Sequence, residues 1–300
     1  MDRRHDRDRH GCGVTARSRF APSPTGPLHL GHALSALTAE RVAREVGGEF
    51  ILRIEDTDST RCRPEHEAGI QDDLRWLGIV WDGPVRRQSE HRAEYLAAAD
   101  ILATRGYLYP CSCTRREIAE AGATVGNEGL VYPGTCRSRP MNDRRRGDAL
   151  RLNLGRALEE GPLLTHEETG PLHSGTHVVD ADFLIRETGD PVLFRKDTGD
   201  PAYHLAVVHD DAVQAITHVV RGDDLWNATP LHRLLQHLLG LPVPVWYHHD
   251  LIRDASGKRL AKIDGARALS TYRAAGSTPA DVMARIGWSN SRGAPSPTEV

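Results

Sequence analysis

Two histidines flank a glycine in His29-Leu30-Gly31-His32, directly after a proline-rich run, and two lysines four apart, Lys258 and Lys262, sit in the segment GKRLAKIDGA. Both arrangements suit a polyphosphate. A helix start directs unpaired N–H groups and a partial positive charge outward. Histidines one turn apart there can donate to the same phosphates, and Gly31 leaves room for a base or ribose against the backbone. Two lysines on a glycine-bearing loop can hold the β- and γ-phosphates while charge moves onto a leaving pyrophosphate. Taken singly, the first motif also reads as surface or capping histidines and the second as a solvated basic loop. Their co-occurrence at two strand ends, about 230 residues apart, favours nucleotide chemistry.

A third cluster is Cys111, Cys113, Tyr132 and Cys136, in CSC and YPGTC. Three thiolates make most of a tetrahedral structural zinc site, although Cys-x-Cys is tighter than the usual spacing and a tyrosine ligand is atypical. Spacing alone also allows three reduced cysteines beside an incidental tyrosine. Of the five cysteines, Cys12 and Cys62 read as incidental thiols, and the odd, sparse count argues for a reducing compartment. His248-His249 has no partner pattern and reads as surface or packing.

These residues need a frame. Three hundred residues with 39% hydrophobic and 26% charged side chains make a core large enough for one domain or a domain carrying an insertion. No apolar run reaches the length of a membrane span and none follows the charged start MDRRHDRDRH, so membrane and secretory classes are excluded and the cytoplasm is expected. A net charge of −3 neither supports nor excludes an RNA partner. Residues 1–16, almost without apolar content, are expected to form a disordered leader.

From Arg19 onward the pattern is strand then helix. SRFAPS ends a strand, and Ala33 to Val46 offers Ala36, Ala39, Ala43 and Val46 at helical spacing before Gly47-Gly48. EFILRIEDTD reads as a strand with Phe50, Leu52 and Ile54 on one face. Helices follow from Pro64 to Gly78 and from about Ser89 to Gly106. From Cys111 to about Pro201 the alternation fails, and ALRLNL and ADFLIRE read as strands of an insertion. The α/β pattern returns with PAYHLAVVHDDA, AITHVVRG, TPLHRLLQHLLG and VPVWYHHDLI. The expectation is an α/β fold: a doubly wound parallel sheet built from 17–110 and 201–265, interrupted by a mixed α+β insertion over 111–200. One short helix and a flexible tail follow over 266–300, with ligands at the carboxyl ends of the strands.

RFAPSPTGPLHLGH and KRLAK resemble the two signatures of class I aminoacyl-tRNA synthetases in their glutamyl form. The similarity continues through LRIEDTDSTRCRPEHEAGIQDDLRWLGIVWDGP, YPCSC, YPGTC, AYHLAVVHDDAVQAITHVVRGDDL and LLGLPVP, over most of residues 19 to 270. No anticodon-binding domain is expected, and on that reading the chain resembles the family's shortened paralogues, which attach glutamate to queuosine in the anticodon of tRNA(Asp). The resemblance implies a Rossmann-type catalytic fold, ATP with its own Mg²⁺, L-glutamate and queuosine-containing tRNA(Asp) as partners, no membrane, and a monomer. It implies His29, Gly31, His32, Lys258 and Lys262 for ATP, with His29, His32 and Lys262 catalytic. It implies Arg19, Phe20, Ala21, Pro22, Ser23, Glu55, Tyr203 and Arg221 for glutamate, and Cys111, Cys113, Tyr132 and Cys136 for one structural zinc.

Without the resemblance, Arg221 reads as a strand-end ion pair with Asp223 or Asp224, and Arg19 as an exposed arginine. Asp210-Asp211 takes a structural or substrate-orienting reading, since the family has no fixed catalytic metal there. Two departures stand out: the lysine loop is Lys-Arg-Leu-Ala-Lys rather than Lys-Met-Ser-Lys-Ser, and His204 and His209 replace the more usual Gln and Val. The alternatives are a truncated synthetase charging a tRNA 3′ end, a small nucleotidyltransferase, and a non-catalytic RNA- or amino-acid-binding module.

Overall fold

The structure, a computed structural model, describes residues 15–159, 162–252 and 267–288. Its strands are β1 (Arg17–Phe20), β2 (Glu49–Ile54), β3 (Arg86–Arg87), β4 (Leu108–Cys111), β5 (Val125–Gly126), β6 (Gly129–Leu130), β7 (Ala149–Leu152), β8 (Thr165–Glu168), β9 (Gly175–Val178), β10 (Val192–Phe194), β11 (His218–Gly222) and β12 (Val245–His249). The helices are α1 (Leu30–Glu45), α2 (Pro64–Trp76), α3 (Arg92–Thr104), α4 (Arg115–Glu120), α5 (Leu154–Glu159), α6 (Ala181–Phe183), α7 (Tyr203–Val213), α8 (Thr229–Leu239), α9 (Leu269–Ala274) and α10 (Pro279–Arg285).

A seven-stranded sheet runs in the order β3-β2-β1-β11-β12-β8-β9 and is parallel except for the edge pair β8–β9. Register decides which side chains meet. Arg19 pairs with Ile51 and Phe20 with Leu52 across β1–β2, and Arg221 pairs with His248 across β11–β12. With a side-chain period of two, Phe20, Phe50, Leu52, Ile54 and Val220 share one face and pack with Leu34 and Leu37 of α1 and Ile70 and Leu74 of α2. Arg19, Arg53 and Arg221 fall on the other face, under α7 and α8, where Ile51, Val219 and Trp246 supply the apolar contacts. Helices thus cover both faces of a mainly parallel sheet.

The differences from the sequence reading are local. The first helix begins at Leu30 rather than Ala33, because His32 Nδ1 accepts the His29 backbone N–H at 3.2 Å and closes the first turn. ADFLIRE is helical: Asp180 caps it by accepting the Phe183 N–H at 3.0 Å, and α6 runs into a π turn over Leu184–Thr188. Strands β8 and β9, inside 111–200, extend the main sheet, while β4, β7 and β10 form a separate three-stranded sheet. Two short helices, α9 and α10, stand where one was expected.

Candidate active site

A single open cleft at the carboxyl ends of β1, β2, β11 and β12 collects the predicted substrate residues. Arg19 and Phe20 end β1, and Ala21, Pro22 and Ser23 continue from it into the cleft wall. His29, Gly31 and His32 come from the start of α1, Glu55 follows β2, Tyr203 opens α7, and Arg221 lies in β11. His29 and His32 stack with ring centroids 3.8 Å apart. A methyl group on Gly31 would lie 3.1 Å from the His29 ring, so the glycine is what lets that ring fold back over the helix start. Lys258 and Lys262 lie outside the described residues, as do residues 1–14 of the expected leader.

The buried electrostatics divide into two sets. In the first, Asp211 accepts from Arg19 at 2.9 Å and from Arg53 at 2.8 Å, and Arg53 also donates to Glu55 at 3.1 Å. Despite their burial, Asp211 is held below the usual carboxylate range by Arg19 and Arg53, and Arg53 above its ordinary value by Asp211 and Glu55. Burial outweighs Arg53 at Glu55, whose carboxyl is raised. Arg19 is therefore not the exposed arginine that sequence alone suggests: it is 4% exposed and ion-paired. Asp210 is likewise structural, accepting from Tyr95 at 2.8 Å, Gln88 at 3.0 Å and Arg86 at 3.1 Å.

In the second set Arg221 stands without a counter-ion. It is 5% exposed, and among the described residues no carboxylate lies within ion-pair distance, so the pairing with Asp223 or Asp224 read from sequence alone does not form. Its partners are neutral acceptors: His248 Nε2 at 2.9 Å, His232 Nδ1 at 3.0 Å and Thr229 Oγ1 at 2.7 Å. Burial pulls Arg221 below its ordinary pKa, opposite to the shift at equally buried Arg53; the difference is the anionic partner. Arg19 and Arg53 are thus paired with Asp211 and Glu55 beneath the cleft, whereas Arg221 reaches the cleft floor without a paired carboxylate among the described residues; Asp224 and Asp250 line the same cleft.

Arg53, Thr229, His232 and His248 were missed by sequence reasoning. The signal for His232 was available, since it falls on the apolar stripe of α8 with Leu231, Leu234, Leu235 and Leu238. His248 and His249 are 0% and 5% exposed rather than surface residues; His249 lines the cleft with Nε2 2.8 Å from Ser35 Oγ.

The four predicted metal ligands also converge. Cys113 Sγ lies 3.5 Å from Cys136 Sγ, all three sulfurs lie within 4.8 Å of one another, and Tyr132 Oη is 3.4 Å from Cys111 Sγ and 3.3 Å from Cys113 Sγ. A tetrahedral zinc bonded to sulfur at about 2.3 Å has S···S edges of about 3.8 Å, so this donor set fits the ion. Burial opposes ionisation of Cys136, but hydrogen bonds from Tyr132 and the Ser112 backbone bring its thiol down to about 6.

Residues 15–151 and 174–294 match the family model for class I tRNA synthetases (E and Q), catalytic domain. A glutamyl-Q tRNA(Asp) synthetase of Rhodobacter capsulatus is 54% identical over 279 residues, covering 90% of this chain and 99% of the relative. One from Nocardia farcinica is 42% identical, covering 91% and 84%. A glutamate tRNA ligase structure from Elizabethkingia meningosepticum, in complex with its amino acid, superposes with TM-score 0.68 at 32% identity. That match covers 84% of this chain and 52% of the ligase, so the chain spans about half the length of that protein. The cleft at the strand ends, the helix start beneath it and these likenesses agree: the chain belongs to the class I aminoacyl-tRNA synthetases of the glutamyl and glutaminyl type, in the glutamyl-Q tRNA(Asp) synthetase group.

Proposed function

We propose that this ligase activates L-glutamate with ATP and transfers the glutamyl group to a hydroxyl of queuosine in the anticodon of tRNA(Asp). The observation that carries the glutamate reading is Arg221: a guanidinium 5% exposed at the cleft floor, with neutral partners only among the described residues, is completed by a carboxylate. Glu55, beside Arg53, receives the α-ammonium, and Tyr203 closes the same wall. A glutamate oxygen attacks the α-phosphorus, pyrophosphate leaves, and the queuosine hydroxyl then displaces AMP from the acyl carbon. No protein nucleophile takes part. His29, Gly31 and His32 hold the triphosphate at the start of α1, with Mg²⁺ arriving on ATP. Lys258 and Lys262 take the pyrophosphate side. Support for queuosine as the acceptor comes from the names of the relatives at 54% and 42% identity. The protein is proposed to act as a cytoplasmic monomer; no described helix is long and apolar enough to cross a membrane.

The test is glutamate-dependent ATP–pyrophosphate exchange, followed by glutamate transfer to queuosine-containing tRNA(Asp), unmodified tRNA(Asp) and tRNA(Glu). Exchange with transfer to the modified tRNA(Asp) alone is expected. Transfer to tRNA(Glu) would instead make this a shortened charging enzyme, and absence of exchange would remove the catalytic reading.

Cys111, Cys113, Tyr132 and Cys136 are proposed to hold one zinc, which braces the segment 111–200 where β4 joins β7. Purified protein is expected to contain one zinc per chain by atomic emission, and C113S to contain little while keeping its KM for ATP. Active wild-type protein without zinc would rule the site out.

A further inference from the structure

Arg221 is held by two chains of hydrogen bonds that each end on a carboxylate. On one side its Nε donates to His248 Nε2 at 2.9 Å, and His248 Nδ1 lies 2.6 Å from Glu168 Oε2. On the other, Nη1 meets His232 Nδ1 at 3.0 Å, His232 Nε2 meets His204 Nδ1 at 3.0 Å, and His204 Nε2 lies 2.9 Å from Glu128 Oε2. A guanidinium only donates, so every tautomer follows from it. His248 must accept at Nε2 and carry its proton on Nδ1; His232 and His204 must accept at Nδ1 and carry theirs on Nε2. Proton donation therefore runs outward from Arg221 along both chains, and each carboxylate is separated from the cation by at least one neutral ring.

We propose that Glu168–His248 and Glu128–His204–His232 are paired positioning relays that aim Arg221 at the substrate carboxylate while leaving its charge unneutralised. A carboxylate bonded directly to the guanidinium would fix it equally well but would cancel the field that the ligand needs. A ring in between transmits orientation and keeps the ion pair for the substrate. Of the five N–H groups of Arg221, three are taken by His248, His232 and Thr229, and Tyr203 stands beside the same guanidinium on the cleft wall, where a substrate carboxylate would meet its terminal nitrogens. The relays also explain side chains without another role. Glu168 and His248 are both wholly buried, and Glu168 Oε1 is fixed by the N–H groups of His248 at 2.9 Å and Gly170 at 2.6 Å. Glu128, between the short strands β5 and β6, ties that hairpin to the start of α7.

This inference rests on the glutamate reading, and the experiment separates the two. Glu168→Gln keeps Oε1 as acceptor for the two backbone N–H groups, so its amide N–H is turned toward His248 Nδ1. The ring must then accept there and present Nε2–H to the Arg221 N–H, donor against donor. In glutamate-dependent exchange by the whole chain, E168Q is expected to raise KM for glutamate at least about tenfold while KM for ATP and kcat stay within about threefold. H204L, which strips the acceptor from His232, is expected to raise the same KM, and H204Q, whose amide oxygen can accept from His232, to restore it. Long-range ¹H–¹⁵N spectra of the wild type, assigned through single-histidine substitutions, are expected to show His248 as the Nδ1–H form and His232 as the Nε2–H form. The opposite tautomers would overturn the relays, as would an E168Q variant with unchanged glutamate KM or with all constants lowered together. Absence of exchange in the wild type would overturn the glutamate reading instead, and the tautomer spectrum would still decide the relays.

Discussion

Arg221→Met is expected to raise the KM for glutamate by about 30-fold or more while the protein still folds, with little net change in its stability. Truncating the charged partner of a buried carboxylate typically costs about 2–5 kcal/mol, or roughly 30-fold to several-thousand-fold in KM. Most substitutions at a residue this buried destabilise, yet here the wild-type side chain is a cation hydrogen-bonded to His248, His232 and Thr229, with Tyr203 beside it and no carboxylate within ion-pair distance among the described residues. Methionine fills similar length without the desolvation penalty, so the folded state loses hydrogen bonds to neutral acceptors and loses an uncompensated charge at the same time. Ligand-dependent melting separates the two effects. Glutamate at about 100 times its Kd adds about 2.7 kcal/mol to the wild type, and the variant should show no such shift. A variant that unfolds without glutamate present would assign Arg221 to the core rather than to the substrate.

What could be read before the structure follows from how local each feature is. The helix start at His29-x-Gly-His32 was legible because its signal lies within four residues, and only its boundary moved, since His32 itself closes the turn. The proposed metal ligands Cys111, Cys113, Tyr132 and Cys136 were legible as a set only through the family resemblance, since CSC and YPGTC are separate segments; the structure brings their side chains together. ADFLIRE misled because its apolar positions fit a strand, whereas Asp180, one residue upstream, caps a helix. The surroundings of Arg221 were not legible, because Glu168, Thr229, His232 and His248 come from β8, α8 and β12, and only strand register makes them neighbours. For Asp210-Asp211 the sequence left a structural and a substrate-orienting reading open and named no cations; those of Asp211 lie 192 and 158 residues away.

That separation in sequence makes Asp211→Asn the second large effect. Asp211 Oδ1 accepts from both Arg19 Nε and Arg53 Nη1, joining α7 to β1 and β2 beneath the cleft. Neutralising it leaves two buried guanidiniums facing only Glu55, and removing one partner of a buried ion pair costs about 3–5 kcal/mol. At about 2–4 °C per kcal/mol for a chain of this size, the melting temperature is expected to fall by about 10 °C. Asp72→Asn supplies the contrast, since its pair with Arg75 is 3.3 Å long with both side chains more than half exposed; it should change stability by under about 0.5 kcal/mol. The same group sets an acid limit. Because Arg19 and Arg53 hold Asp211 below its unfolded pKa of about 3.9, its contribution is complete above that value and is lost as pH falls through the lower folded pKa. Wild-type stability should therefore drop steeply below about pH 4, and D211N, which has no proton to take up there, should show a shallower decline from its lower starting point. Parallel curves for the two proteins would mean that Asp211 does not carry the charge that holds Arg19 and Arg53.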